Sequence, residues 1–207
     1  MAKLNTDPYK GVQDFYPEDM AVLNYMFSVW KKVAEKFEYV EYGASPLEST
    51  EIYTEKSGSE IINEQTFTFT DRGERSVTLR PEMTPTLARM VAAKRKALKF
   101  PLRWFSIPNL FRYERPQRGR RREHWQLNVD LLGIADLSAD VEIVKFADAV
   151  MKEFGASDSD FEFRLNYPTG SKEDLREFME MLKDAGITNV KIDESLARGQ
   201  TYYTGIV

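Results

Sequence analysis

The chain has 207 residues, 42% hydrophobic and 30% charged, long enough to bury a sizeable core as one domain or one domain plus a small appendage. Its net charge of −4 excludes a surface that grips nucleic acid all over, so any contact with RNA must be local. The absence of cysteine removes disulfides, thiolate nucleophiles and zinc–cysteine sites, and the single histidine, His124, leaves no imidazole cluster for a metal centre.

In chain order, the opening MAKLNTDPYKGVQDF lacks the apolar stretch of a signal peptide, and no later run reaches the length of a membrane span. A cytoplasmic location is expected. Apolar residues at 22, 23, 26, 27, 30, 33, 34 and 37 mark one face of an amphipathic helix with Pro17 in its first turn. EYVEYGASPLE reads as a strand stopped by Pro46. EQTFTFTDRGERSVTLRPE reads as a β-hairpin, with Phe67 and Phe69 alternating with threonines and DRGE as the turn. TPTLARMVAAKRKAL predicts a helix with Thr84 as N-cap and Pro85 at the first helical position. LRWFSIPNLFRYE and HWQLNVDLL predict two strands flanking an arginine loop. SADVEIVKFADAVMKEFG predicts a helix capped by Ser138 and stopped by Gly155. FEFRLN is a short strand, and SKEDLREFMEMLKDAG is a helix capped by Ser171 and ended by Gly186. There is no internal repeat or long linker. The order implies an α+β fold, a mainly antiparallel sheet packed by helices.

Neither GxxxxGK[ST] nor GxGxxG occurs, so a nucleotide would have to be held by side chains. Six arginines fall within the eleven residues from Arg112 to Arg122. At that density they repel one another, which calls for an anion among them. Strand alternation puts Trp125, Leu127, Val129 and Leu131 on one side and His124, Gln126, Asn128 and Asp130 on the other. Phe111 and Tyr113 share a side, and Arg112 and Glu114 take the opposite one. Paired as a hairpin, Arg112, Glu114, Gln126 and Asp130 line one polar surface fit for a small zwitterion and a phosphate, with Arg115, Arg118, Arg120, Arg121 and Arg122 able to close over it. The bland alternative is a solvated tip whose arginines pair with Glu114 and Glu123. Composition and pattern leave both open.

FRYERPQRGRRREHWQLNVDLLG resembles the second signature motif of class II aminoacyl-tRNA synthetases, in the form found in histidyl-tRNA synthetases. TLRPEMTPTLARM is similar to that family's Leu-Arg-Pro-Glu-x-Thr segment, and LARGQTYYTG to its histidine-binding segment. GVQDFYPEDM resembles the family's opening, and YVEYGASPLE the first class II motif, whose proline, here Pro46, lies at a dimer interface. The resemblance implies a class II catalytic domain, an antiparallel sheet flanked by helices, over residues 1–207. It also implies a C-terminal truncation, with the third motif and the anticodon-binding domain absent and with 167–190 as a reduced insertion region. The implied activity is histidine–tRNA ligase: ATP and Mg²⁺ activate L-histidine to histidyl-adenylate, which is passed to the acceptor end of tRNA(His) by a protein that is a homodimer at full length. It places histidine against Glu82, Met83, Thr84, Arg112, Gln126, Asp130, Arg198, Tyr202 and Tyr203. Glu82 takes the α-ammonium with Thr84 and Gln126 beside it, and Asp130 and Tyr203 read the imidazole nitrogens. ATP falls to Arg112, Glu114 and Arg120. Arg112 and Arg198 are the catalytic pair, and no protein metal site is implied.

Each residue also has a plainer reading. Glu82 alone would be a helix-start carboxylate favouring the dipole, Asp130 an exposed strand residue and Arg198 a surface turn residue. Lys94, Arg95 and Lys96 read as a solvated helix face, and His124 as structural or peripheral. Two other functions stay in view: the synthetase-like, histidine-sensing regulatory subunit of ATP phosphoribosyltransferase, and a plain RNA-binding module that uses the arginine hairpin.

Overall fold

In a computed structural model that describes residues 5–54, 65–115, 117–196 and 205–207, the elements run in this order. They are α1 (Pro17–Lys36), β1 (Val40–Glu41), β2 (Leu47–Ser49), α2 (Glu51–Thr54), β3 (Phe67–Thr70), β4 (Ser76–Leu79) and α3 (Thr84–Lys94). There follow β5 (Leu102–Ser106), β6 (Asn109–Phe111), β7 (Glu123–Trp125), β8 (Asn128–Leu132), α4 (Leu137–Glu153), β9 (Phe163–Leu165), α5 (Lys172–Asp184) and β10 (Val190–Ile192). Two units are distinguished: residues 1–25, 42–98 and 106–128 make the first, and residues 26–41, 99–105 and 129–207 the second. No helix among the described residues is long and apolar enough to cross a membrane.

The first unit is antiparallel. Strand β4 lies between β2 and β3, with Leu79 opposite both Leu47 and Phe67. The predicted hairpin turn is closed by the Asp71 carboxylate, which accepts from the backbone N–H of Gly73 (2.8 Å) and Arg75 (3.0 Å), while Glu74 turns at φ 61°. The alternation holds, but the sides are reversed from the usual arrangement. Thr78 and Glu48 are buried, whereas Leu47 and Phe69 are about half exposed. The polar side can face inward because its groups satisfy one another: the Thr78 hydroxyl bonds those of Thr50 and Thr68, both at 2.9 Å, and Glu48 takes a forked pair from Arg89.

In the second unit, β1 pairs parallel with β5, which neighbours β8 on its other side. Strands β9 and β10 also pair parallel, joined by the crossover helix α5. The α+β class stands, with these parallel pairs added to the antiparallel ones. Ser171 caps α5 through a reciprocal box with Asp174, as the Ser-x-x-Asp spacing allows. Its buried face carries Leu175, Phe178 and Leu182, of which Phe178 and Leu182 join Val141, Val144, Leu165 and Ile187. Burying each such large apolar side chain contributes about 1.5–3 kcal/mol before entropy is subtracted.

Several expected boundaries move. The 102–114 run is two strands, β5 and β6, parted at Ile107-Pro108, because proline has no N–H for a ladder. The 124–132 run divides at Gln126-Leu127 into β7 and β8. The 38–48 run holds β1 and the first two residues of β2, so Pro46 precedes a strand instead of ending one. Asp136, not Ser138, caps α4 by accepting from the Ser138 N–H. Thr84 is already helical, and the cap position is Met83, which offers no side-chain acceptor.

Candidate functional site

The site grows from the turn that follows β4. The Arg80 N–H donates to Pro46 O (2.9 Å) and the Arg80 carbonyl accepts from the Phe111 N–H (3.0 Å), so the turn is tied on one side to the 44–46 segment and on the other to β6. The Arg80 side chain, only 5% exposed, repeats both ties: Nη1 donates to Ala44 O at 2.8 Å and Nε to Asn109 O at 3.1 Å. Burial lowers its pKa, yet the guanidinium remains the group that fixes this corner.

The next residue, Pro81, offers its carbonyl to Arg112 Nε at 3.0 Å. Glu82 follows, buried, and its charge acts on the nearby Tyr53 phenol. Burial above all pushes Tyr53 up to about 12. Its Oη and the Thr86 Oγ1 face one another, both buried, without a well-formed hydrogen bond. Met83 is also buried, its Sδ 3.7 Å from Arg80 Nη1, and Thr84 is half-buried at the start of α3.

The six arginines divide by role. Arg112 is held by Pro81 O as above, and its N–H donates to Arg122 O at 2.8 Å. Arg120 forks onto Glu114, and this bond above all holds the Glu114 carboxyl below its usual range. Arg122 is buried, not part of a closing loop: Nε donates to Glu114 O (3.0 Å), Nη1 to the Tyr9 hydroxyl (3.1 Å), and the guanidinium lies 4.0 Å from the Tyr113 ring centre. Arg115, Arg118 and Arg121 are exposed and make no ion pair among the described residues. The solvated-tip reading is thus met by Arg120 with Glu114. Glu123 instead accepts from Asn109 Nδ2 at 3.2 Å.

His124 was set apart in the sequence and belongs with this group. Strands β6 and β7 pair with Leu110 opposite His124 and Phe111 opposite Glu123, so Arg112 and His124 are diagonal neighbours on one face. Gln126, two residues on, acts weakly on the imidazole and donates Nε2 to Asn128 Oδ1 at 2.9 Å. Burial first, then the Arg112 charge, lower the His124 pKa, against weaker opposing effects of Glu114 and Gln126. Its shared parity with Gln126 was the signal available in the sequence.

The first unit therefore brings Glu82, Met83, Thr84, Arg112, Glu114, Arg120 and Gln126 onto one turn and one hairpin. Asp130 belongs to the second unit, on β8, where its charge acts on the Tyr39 phenol. Arg198, Tyr202 and Tyr203 lie outside the described residues. Asn166, unremarked in the sequence, holds the chain on either side of them. Its Nδ2 donates to Glu194 O (3.2 Å) and Leu196 O (2.8 Å), and its backbone exchanges two 2.8 Å bonds with Val207.

Comparison with known proteins bears on what such a group of residues is for. The family profile described as histidyl-tRNA synthetase matches residues 11–168. A curated histidine–tRNA ligase of Leptospira biflexa is 50% identical over 165 residues, which are 80% of this chain and 38% of that protein. The crystal structure of the apo S. aureus histidyl-tRNA synthetase has a TM-score of 0.80 at 26% identity, covering all of this chain and 55% of that one. An ATP phosphoribosyltransferase regulatory subunit/histidyl-tRNA synthetase from Bacillus halodurans C has a TM-score of 0.84 at 20% identity, covering 99% of this chain and 72% of that one. At 20% identity that likeness concerns fold alone.

Proposed function

The chain belongs to the histidyl-tRNA synthetase family, and from that premise we propose that it carries part of a site where ATP activates histidine for transfer to tRNA(His). The observation that carries this reading is the seating of Arg112. Its guanidinium is pinned by Pro81 O beside the buried Glu82, on a hairpin that also presents Glu114 and Gln126. A fixed cation next to a fixed carboxylate suits a substrate whose ammonium and carboxylate end must meet an α-phosphate. Adenylation is an in-line displacement at that phosphorus, so catalysis rests on positioning and charge stabilisation, with no nucleophilic side chain required.

In this reading Glu82, with Thr84 and Gln126 beside it, takes the α-ammonium, and Met83 belongs to the same histidine-binding set. Arg112 bridges the substrate carboxylate and the α-phosphate, Glu114 meets the adenine amino group, and Arg120 leaves Glu114 for the outer phosphates. Asp130 and Tyr203 read the imidazole nitrogens, with Tyr202 beside them in the histidine-binding set, and an analogue that leaves such polar partners unpaired is rejected. Arg198 adds charge at the transferring phosphate. Magnesium enters as the counter-ion of ATP and is held chiefly by phosphate oxygens. Residues 1–207 form part of one class II catalytic domain, with 167–190 in place of a larger insertion and Pro46 near a homodimer interface in the cytoplasmic enzyme. The chain spans 38% of the length of the Leptospira relative, so the whole reaction is a property proposed for the longer protein.

The test is thermal unfolding of the chain with each amino acid in turn, with and without Mg·ATP, followed by histidine-dependent pyrophosphate exchange. A stabilisation seen with histidine alone, lost in Glu82→Gln, supports the reading. A cooperatively folded chain that histidine does not stabilise refutes the site. Histidine binding without any exchange, in a chain lengthened to its relatives' size, favours a sensing role such as that of the regulatory subunit.

A further inference from the structure

His124 is the only imidazole in the chain, and nothing in the reading above uses it. Its surroundings are nonetheless those of the site. Arg112 lies diagonally across the β6–β7 pair from it, Glu114 comes from the segment after β6, and Gln126 follows just beyond β7. On its own strand it is flanked by Glu123, which is engaged by Asn109, and by Trp125. It is half-buried, so its charge state depends on these neighbours more than on solvent.

We propose that His124 is a proton-linked binding residue: when the phosphates of a nucleotide settle on the Arg112 guanidinium, the imidazole takes up one proton from solvent and the resulting cation helps to hold the anion. The inference rests on the nucleotide reading of the site. In the empty site the guanidinium and the burial both favour the neutral ring. A polyanion on Arg112 cancels the first of these. It also draws Arg120 from Glu114, leaving that carboxylate's field to act on His124. Both changes favour the protonated ring, so its pKa is higher in the bound state than in the free state. By linkage, nucleotide affinity then rises as pH falls from the bound pKa to the free pKa, by up to about tenfold per pH unit, and is level outside that window.

The experiment is calorimetric titration of Mg·ATP into the chain near neutral pH, in two buffers of different ionisation enthalpy, which counts protons exchanged. It is repeated with His124→Gln, which cannot titrate. Uptake of a measurable fraction of a proton in the original chain, abolished in the variant, is the expected result. The unsubstituted chain gives an independent reading, since its single imidazole Cε1–H resonance must titrate at higher pH when Mg·ATP is saturating. Binding without proton uptake, uptake that persists in His124→Gln, or an unmoved imidazole titration overturns the proposal and leaves the nucleotide site standing. Failure of Mg·ATP to bind at all overturns the nucleotide reading and this inference with it.

Discussion

Replacing Arg80 with methionine tests whether one buried guanidinium holds the corner from which Glu82 and Arg112 are presented. Methionine keeps much of the apolar stem and removes every donor. Two well-formed bonds disappear, to Ala44 O at 2.8 Å and Asn109 O at 3.1 Å, whereas the contacts at 3.4–3.7 Å to Asn109 Oδ1, Ser45 O and Met83 Sδ are too long to weigh heavily. Each carbonyl left without a donor costs about 1–3 kcal/mol, so the pair costs about 2–6. Relief of the guanidinium's own desolvation offsets part of that, because Glu48, the carboxylate whose charge acts on it, is engaged by Arg89. The expected net loss is about 3 kcal/mol, a large share of a typical stability of about 5–15. Arg80→Lys keeps one point donor and is expected to lose about half as much. Urea unfolding followed by circular dichroism and tryptophan fluorescence measures both. Arg80→Met within about 0.5 kcal/mol of the parent, at unchanged denaturant slope, would refute the assignment.

Three smaller perturbations follow from the same physics. Ser171→Ala removes the α5 cap and should cost about 1 kcal/mol in chemical denaturation, with no change if the reciprocal box with Asp174 carries no weight. Glu153, bonded by Lys32 and Lys36, is held at about 2 against an ordinary 4.5. Because the folded value is the lower one, its contribution is complete above the ordinary carboxylate pKa and fades as pH falls towards about 2. Carboxyl NMR should show the pKa return to the ordinary range in a Lys32→Ala, Lys36→Ala double variant. Asn166→Leu strands the carbonyls of Glu194 and Leu196 and should cost about 2–4 kcal/mol, with faster amide exchange at Val207; unchanged exchange there would contradict its anchoring role.

How much of this was readable beforehand depends on the range of the interaction concerned. The Ser171–Asp174 box, the Asp71 turn and the glycine at φ 95° that follows α4 are local, and their chemistry is written within four or five residues. The long strands were misread because alternation is counted as if unbroken. The breaks at Ile107-Pro108 and Gln126-Leu127 restart the count, so His124 to Asp130 do not form one ladder face. Gln126 and Asp130 also fall in different units. Among the arginines, density alone gave no way to tell a buried Arg122 from an exposed Arg121. The difference comes from Tyr9, brought to the hairpin from more than a hundred residues away.

The sequence by itself determined the α+β class, the family, the helix and turn signals, and the stretch in which the site arginines lie, because motif order and local capping survive in one dimension. Only the tertiary structure decided which of the described loop arginines are exposed, which are pins and which neighbours surround His124. Burial and charge pairing arise between residues remote in sequence, and an arginine's role is set by what desolvates it and what accepts its hydrogen bonds.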